Sequence, residues 1–294
     1  MAIINAIINF RRSLKRRNYA RHTVKNYLNR LQHFVIWLDV PLEEVTPIKI
    51  LEYIDHLLDK RLHPGTINYH LLSIRRFYDY LAGEEGVPIK NPVKTGYGLR
   101  LPKPLPRCLK EEDLATLFRV MKRPRDRAIF LLMLRSGLRV EEVANLTLEA
   151  LDLIRGRILV RHGKGGKDRV VYISPDSHQA LTEYLRVRPH SRAKQVFLVE
   201  KGSYRGQPIS VRGIQKRIEY FARKTGVTAS CHQLRHTMAT QLLNAAADLA
   251  TIQDLLGHNW ITTTQRYCKV SNLKVKRDYY KAMEEVILRT LPEP

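Results

Sequence analysis

Apolar residues in the first third of the chain recur every three to four positions, the spacing of amphipathic helices. Three such runs extend over residues 24–38, 50–58 and 67–78. Thr23 is the expected N-cap of the first run, and Thr66, after the break at Pro64-Gly65, of the third. The apolar start predicts one more helix rather than a signal peptide, because Asn5 and Asn9 interrupt it and basic residues follow it. The pattern predicts a small all-helical domain over residues 1–87.

Helical periodicity stops between residues 88 and 106, where proline and glycine accumulate together with Lys94, Arg100 and Lys103. This composition predicts an extended basic linker. Such a segment either tethers two domains through solvent or runs along the surface of a bound partner. Both interpretations place the start of the second domain at residue 107.

The second domain, residues 107–294, combines many helices with one pair of strands. The strands are predicted over 157–161 and 169–173, joined by a glycine-rich turn at 163–166. Helices are predicted over 111–121, 125–136, 175–186, 211–225, 232–244, 249–256 and 274–289, with a short one near 267. Gly137 is expected to end the second of these. The predicted fold class is mainly α with a small antiparallel β-sheet in the C-terminal half.

Charge indicates a polyanionic partner. The chain has 51 Lys and Arg residues against 28 Asp and Glu residues, a formal net charge of +23. Residues 1–106 carry 17 basic and 9 acidic residues, so both domains are positive and both are expected to contact a phosphate backbone. No apolar run is long enough to cross a bilayer. The three scattered cysteines fit neither a disulfide framework nor a metal motif, so we expect a reducing cytoplasm.

The second domain offers cations and imidazoles rather than the paired carboxylates that bind catalytic metals. Arg139 is expected at a helix N-terminus, where an anion is favoured, although a structural pairing with Glu142 is the commoner arrangement. Lys164 is expected at the tip of the hairpin, where it is either a reactive ammonium group or part of a plain basic turn. These residue types suit metal-free phosphoryl transfer.

Two further motifs lie downstream. In His232-Gln233-Leu234-Arg235-His236, a spacing of three places His232 and Arg235 on one helical face, whereas His232 and His236 alone would suit a metal. His258 and Tyr267 lie nine residues apart in a segment that otherwise fits a groove-reading helix-turn-helix or a core packing pair. Each motif alone permits a structural explanation.

Taken together and in this order, the motifs resemble those of the tyrosine recombinases, also called the phage integrase family. The resemblance extends over nearly the whole chain and is closest to the Xer group. It implies two domains, a helical DNA-clamping domain and a catalytic domain, and six catalytic residues. These are Arg139, Lys164, His232, Arg235, His258 and Tyr267. Glu142 is expected to support them, and Tyr279 and Tyr280 are weaker candidates for the nucleophile because they lie farther from His258.

The implied reaction is attack of the Tyr267 hydroxyl on a DNA phosphodiester without metal, ATP or another cofactor. Arg139 and Arg235 would hold the phosphate, His232 would accept a proton or hold the phosphate, His258 would donate a hydrogen bond and Lys164 would protonate the leaving oxygen. A 3′-phosphotyrosyl intermediate would then lead to a Holliday junction.

Recombination of two duplexes would need four protomers, as a homotetramer or as a heterotetramer with a sister protein. Val275, Tyr279, Met283, Val286 and Ile287 of the final helix would dock on a neighbour or pack on their own domain. The alternatives are a catalytically inactive architectural DNA-binding protein and a type IB topoisomerase-like enzyme. Neither a membrane nor a small-molecule substrate is expected.

Overall fold

A computed structural model of the 294-residue chain describes residues 3–102, 107–161 and 168–257, together with residues 279, 280 and 283. Internal contacts divide the chain into two units, Met1–Lys103 and Pro104–Pro294. The prediction of a mainly helical chain with a small antiparallel sheet in its C-terminal half is confirmed. Among the described residues, no helix is both long and apolar enough to cross a membrane.

The first unit consists of helices that bury their apolar faces against one another. They are α1 (Ile3–Arg16), α2 (Arg21–Trp37), α3 (Pro47–Asp59) and α4 (Pro64–Gly83), with a 3-10 turn at Leu42–Glu44. The fully buried side chains Leu31, Phe34 and Phe77 occupy the centre. Tyr53 and His70 are also buried, and the Tyr53 hydroxyl lies 3.0 Å from His70 Nδ1, so both polar groups have a partner.

Two predicted helix caps are wrong. The second helix begins at Arg21, and its N-cap is Ala20. The prediction placed the start too late because the first turn is polar and therefore shows no apolar periodicity. The fourth begins at Pro64, where a proline fits the first helical position, and the His63 ring accepts a hydrogen bond from the Gly65 N–H at 3.0 Å. Thr23 and Thr66 therefore lie inside their helices.

The segment predicted as a linker is fastened to α4 over much of its length. Arg75 donates to the carbonyls of Val93 at 3.1 Å and Lys94 at 2.8 Å. Asn68 exchanges hydrogen bonds with the Leu99 backbone at 2.8 and 2.9 Å, and Val93 is buried in the helical core. These contacts hold residues 93–99 to the first unit.

The second unit is built around α6 (Pro124–Arg135), in which every residue from Ala128 to Leu134 is apolar and buried. The helices of this unit before the sheet are α5 (Glu111–Arg119), α6, α7 (Val140–Asn145) and a 3-10 turn at Leu148–Ala150. Those after it are α8 (Pro175–Val187), α9 (Val211–Thr225), α10 (Cys231–Asn244) and α11 (Leu249–Leu256). Helices α8 and α10 pack against α6.

The sheet has the order β1-β2-β3 and is antiparallel throughout. Its strands are β1 (Leu151–Asp152), β2 (Arg157–Val160) and β3 (Arg169–Tyr172). Strands β2 and β3 confirm the predicted pair, whereas the two-residue β1 is too short to produce an alternating pattern. Ser136, at the end of α6, donates to the Tyr172 carbonyl at 2.7 Å and so fixes the sheet to the central helix.

A buried ion network holds α6 to α9. Asp126 is fully buried and accepts two hydrogen bonds from Arg125 and two from Arg217, at distances from 2.6 to 3.1 Å. Arg125 also donates to the Leu198 carbonyl at 3.1 Å. A buried carboxylate with two guanidinium partners is costly to disturb, because the arginines would keep their charges without compensation.

We expect Asp126→Asn to lower the free energy of unfolding by about 3–5 kcal/mol, the range for breaking a buried ion pair. Urea denaturation at pH 7 measures this change. Glu149→Gln is the control, since its ion pair with Lys194 is exposed and should contribute little. Equal effects of the two substitutions would contradict the structural role assigned to Asp126.

Candidate active site

Three arginines converge on the C-terminal end of α11. The last carbonyls of a helix have no partner within the helix and carry negative partial charge, which favours cations there. Each of three consecutive carbonyls accepts a hydrogen bond from a different guanidinium group. The pairs are Arg169 Nε with Leu255 O at 2.9 Å, Arg235 Nη2 with Leu256 O, and Arg139 Nη2 with Gly257 O at 3.1 Å.

Arg139 is the N-cap of α7, as its position after Gly137 predicted. Its backbone N–H donates to Glu142 Oε2 at 2.7 Å, and its Nη1 donates to Glu142 Oε1 at 2.8 Å. The ion pair with Glu142 that the sequence left open as a structural alternative is therefore present. It coexists with a position beside the other cations, so pairing does not remove Arg139 from the candidate site.

Arg235 lies between the C-terminal ends of two helices. Its side chain is almost fully buried, and its two terminal nitrogens donate to Gly137 O and Leu256 O. Gly137 adopts a φ of 64°, and a Cβ there would lie 3.1 Å from Met238 Sδ and 3.2 Å from Leu256 Cδ2. Glycine is therefore required here both by the left-handed backbone and by the close packing that brings its carbonyl to Arg235.

His232 precedes Arg235 by one helical turn on α10, as predicted. Its pKa is lowered by partial burial of the ring and by the positive charges of Arg235 and Arg139. The ring contacts that of His236, with centroids 4.1 Å apart and planes at 77°. His232 is therefore a neutral imidazole close to both arginines. Among the described residues, no three His, Cys, Asp or Glu side chains are grouped to hold a metal ion.

Arg169, at the start of β3, was not among the predicted site residues. Its Nη1 and Nη2 donate to the two Glu142 oxygens at 2.8 and 2.7 Å, and its side chain is only 9% exposed. The alternation along the strand offered a signal, because Arg169 shares its face with the buried Val171. A charged residue on a core-facing position requires a buried partner.

Glu142 is a carboxylate that Arg139 and Arg169 share. Its burial alone would raise the pKa of the carboxyl, but hydrogen bonds and charge from Arg169, with the N–H and charge of Arg139, lower the pKa from 4.5 to about 2. Glu142 is therefore ionised at neutral pH. Its negative charge compensates part of the positive charge of the cluster.

The other predicted catalytic residues, Lys164, His258 and Tyr267, lie outside the described residues, as do Val275, Val286 and Ile287 of the predicted docking helix. Tyr279 and Tyr280 are described and are more than half exposed. Of the six predicted catalytic residues, the structure thus brings Arg139, His232 and Arg235 together. The assignment of the remaining three stays a prediction.

The first unit carries a basic groove between α1 and α2. Its volume is about 610 Å³, and its lining includes Arg11, Lys15, Arg21 and Lys25 together with Asn29 and Gln32. Four cations with polar amide neighbours form a surface that attracts an anion with several charges.

Comparisons with known proteins bear on both units. Residues 107–274 match the phage integrase family, and residues 7–86 match the N-terminal SAM-like domain of phage integrases. The tyrosine recombinase XerC of Thermodesulfovibrio yellowstonii is 36% identical over 279 residues, which cover 90% of this chain and 91% of the relative. The tyrosine recombinase XerA of Thermococcus kodakarensis is 32% identical, with 90% and 92% covered.

Solved structures show the same fold. A crystal structure of XerA recombinase matches with 26% identity and a TM-score of 0.52, covering 99% of this chain and 100% of that one. A lambda integrase dimer bound to a COC′ core site matches with a TM-score of 0.75 and 16% identity, covering 91% and 95%. The Tn1549 transposon integrase in complex with transposon right end DNA also has a TM-score of 0.75, with 20% identity and 89% and 94% covered.

The ionised state of Glu142 predicts a defined acid sensitivity. Because the folded pKa lies below the unfolded one, its stabilisation is present above pH 4.5 and is lost as the pH falls toward about 2. This lowering of the Glu142 pKa corresponds to about 3 kcal/mol of folding free energy, at about 1.4 kcal/mol per pKa unit. Urea denaturation between pH 7 and pH 2.5 should show that Glu142→Gln lacks this component.

Glu141→Gln is the matched control, since Glu141 is the preceding residue on α7 and is exposed. It should keep the acid dependence of the wild type. If the difference in stability between wild type and Glu142→Gln does not shrink in the acid range, Glu142 is not held ionised as described.

Proposed function

This chain belongs to the phage integrase family and is an Xer-type tyrosine recombinase, and on that premise we propose that it cuts and rejoins DNA through a covalent bond between Tyr267 and a 3′ phosphate. The enzyme class and its site-specific recombination of DNA follow from the family. The residue roles, the intermediate and the assembly are the proposal.

One observation carries the proposed chemistry: Arg139 and Arg235 meet at the C-terminal end of α11, and His232 lies close enough for both positive charges to lower its pKa. Two guanidinium groups present several donors in fixed directions, which suits the two non-bridging oxygens of a phosphodiester. Their other donors are already bound to helix-end carbonyls and to Glu142, so their orientation is set before DNA binds. Such preorganised charge stabilises a developing pentacoordinate phosphate.

His232 is suited to accept a proton, because its lowered pKa keeps the ring neutral near pH 7. A free tyrosine hydroxyl, with a pKa of about 10, attacks phosphate poorly unless its proton is removed. We assign the removal of the Tyr267 proton to His232, hydrogen bonding to the phosphate to His258, and protonation of the leaving 5′ oxygen to Lys164.

The balance of the reaction requires no energy source. The Tyr267 oxygen forms a bond to phosphorus while the bond from phosphorus to the 5′ oxygen breaks, and that oxygen leaves as a hydroxyl. The 5′ hydroxyl of a partner duplex then attacks the phosphotyrosyl bond and releases Tyr267. One phosphoester replaces another at each step, so no ATP is needed, and in this proposal the protein's own cations, rather than a metal ion, stabilise the charge that develops on the phosphate.

Exchange between two duplexes requires four such sites and passes through a Holliday junction. We propose a tetramer on DNA, formed by this chain alone or with a sister protein. Residues 1–87 would bind the duplex as a helical clamp, and residues 107–294 would carry the chemistry. The basic groove between α1 and α2 supports contact of the clamp with the phosphate backbone.

Substitution of the nucleophile tests the reaction. The DNA substrate is a duplex selected by binding from a random-sequence pool and then prepared with a nick. Cleavage beside the nick releases a short fragment that diffuses away, so the covalent product is trapped. In EDTA and without ATP, the wild type is expected to form a covalent adduct with the DNA. In Tyr267→Phe the rate of adduct formation is expected to fall by more than about a thousandfold, as for other enzymes that lose their nucleophile. Denaturing electrophoresis with a labelled strand measures the adduct.

Tyr279→Phe and Tyr280→Phe are the controls and are expected to react as the wild type does. An adduct formed by Tyr267→Phe would overturn the assignment, and a requirement for a divalent metal would overturn the mechanism. No adduct in any variant is the outcome expected of an architectural protein. Relaxation of supercoiled plasmids that lack the selected site would indicate a topoisomerase.

The groove predicts a change in salt dependence. We expect Arg11→Gln with Lys25→Gln to lower the slope of log affinity against log salt by about 2, since each phosphate contact contributes about 0.9. Fluorescence anisotropy with the selected duplex measures the slope. Arg12→Gln with Lys60→Gln removes the same charge outside the groove and should change the slope much less; equal changes would remove the groove from the DNA contact.

A further inference from the structure

Arg169 makes contacts that the proposed catalytic set does not explain. We infer that Arg169 is a positioning residue that neutralises the Glu142 carboxylate and thereby leaves the positive charge of Arg139 available to the DNA phosphate. The inference rests on the proposed function, because it assigns a role toward the phosphate that Arg139 would bind. Arg169 itself is not proposed to touch DNA.

The contacts show how completely Glu142 is occupied. Its Oε1 accepts from Arg139 Nη1 and Arg169 Nη1, both at 2.8 Å, and its Oε2 accepts from the Arg139 backbone N–H and Arg169 Nη2, both at 2.7 Å. Arg169 therefore supplies two of the four charge-assisted hydrogen bonds on the carboxylate. The side chains of Arg169 and Glu142 are 9% and 10% exposed, so solvent screens the attraction between their charges only weakly.

Charge balance gives the reason for the second arginine. Arg139 and Glu142 alone form a neutral pair, and a neutral pair attracts an anionic phosphodiester only weakly. With Arg169 the three groups carry one net positive charge. Because Arg169 is largely enclosed and Arg139 is 24% exposed at its side chain, the accessible part of that charge lies on Arg139.

The same guanidinium group connects three segments that adjoin predicted catalytic residues in the sequence. Arg169 is the first residue of β3 and lies five positions after Lys164 in the sequence. Its Nη atoms bind the helix that Arg139 caps, and its Nε binds Leu255 O near the end of α11, three residues before His258.

Gly257 supports this position of Arg169. It adopts a φ of 57°, and a Cβ at this residue would lie 3.1 Å from Arg169 Cδ and 3.2 Å from Nη1. The absence of a side chain lets the arginine pass beneath the end of α11 to reach Glu142. At the same time the Gly257 carbonyl accepts from Arg139, so both arginines adjoin one residue.

The test compares Arg169→Gln in two backgrounds by single-turnover cleavage of the selected nicked duplex. In the wild-type background we expect the cleavage rate to fall by about 10- to 100-fold, the loss common for residues that orient a reacting group. DNA affinity is expected to change by less than about threefold, since many other cations contribute to it. In the Glu142→Gln background, where no carboxylate needs compensation, Arg169→Gln should change the rate by less than about threefold.

A merely structural role would not produce this pattern. If Arg169 only holds the strand in place, its loss slows cleavage equally in both backgrounds, and that outcome overturns the inference. The proposal also requires the double variant to cleave faster than Arg169→Gln alone. If that single variant does not fold, the comparison of the double variant with Glu142→Gln still decides.

Arg188→Gln is the matched control for the loss of an anchoring arginine. Arg188 donates three hydrogen bonds to backbone carbonyls in the same unit and contacts no carboxylate among the described residues. We expect it to lower the melting temperature but not the cleavage rate of the folded protein. Arg169→Lys keeps the positive charge, so its cleavage rate should stay within about tenfold of the wild-type rate. A rate as low as that of Arg169→Gln would show that the charge of Arg169 is not what matters.

The wild-type reaction distinguishes a failure of the proposed function from a failure of the role of Arg169. Absence of any wild-type adduct at Tyr267 would refute the proposed function. A normal wild-type adduct with an unchanged rate in Arg169→Gln would refute only the role of Arg169.

Discussion

The structure of the candidate site depends on one electrostatic constraint: three guanidinium groups, those of Arg139, Arg169 and Arg235, must be held close together although their like charges repel. Like charges at this distance repel, and burial weakens the screening that water would provide. The protein meets the constraint with the carboxylate of Glu142 and with helix-end carbonyls, among them those of Gly137 and Gly257. The three cations are therefore held in place by the protein itself.

This constraint explains why helix ends, rather than helix faces, surround the cluster. The C-terminal ends of α6 and α11 bring carbonyls to Arg235, and the N-terminal end of α7 directs Arg139 and Glu142 to the same place. The buried helix α6 fixes this geometry, because α8 and α10 pack on it and Asp126 ties it to α9 through Arg217. The candidate site residues lie at the ends of rigid elements, where the packed core resists small displacements.

Local patterns predicted the parts of this arrangement that depend on neighbouring residues. Gly137 was expected to end a helix and Arg139 to begin the next, and both expectations are confirmed because capping and turn preferences act over a few residues. The caps at Thr23 and Thr66 were wrong because polar or proline-initiated first turns leave no apolar signal. Alternation along β3 places Arg169 on the buried face of the strand, but its partner Glu142 lies 27 positions away, so no local pattern identifies the pair. Lys164, His258 and Tyr267 remain predictions drawn from family resemblance.

The attachment of residues 93–99 to α4 has a consequence for how this protein could exchange modules with its relatives. A proline-rich stretch between two units looks like a natural place to join foreign domains. Here, however, Val93 completes a hydrophobic core and Leu99 satisfies the amide of Asn68, so the stretch is an integral part of the first unit. A chimera joined after α4 would leave that core open, whereas a junction beyond Leu99 would transplant the helical unit intact.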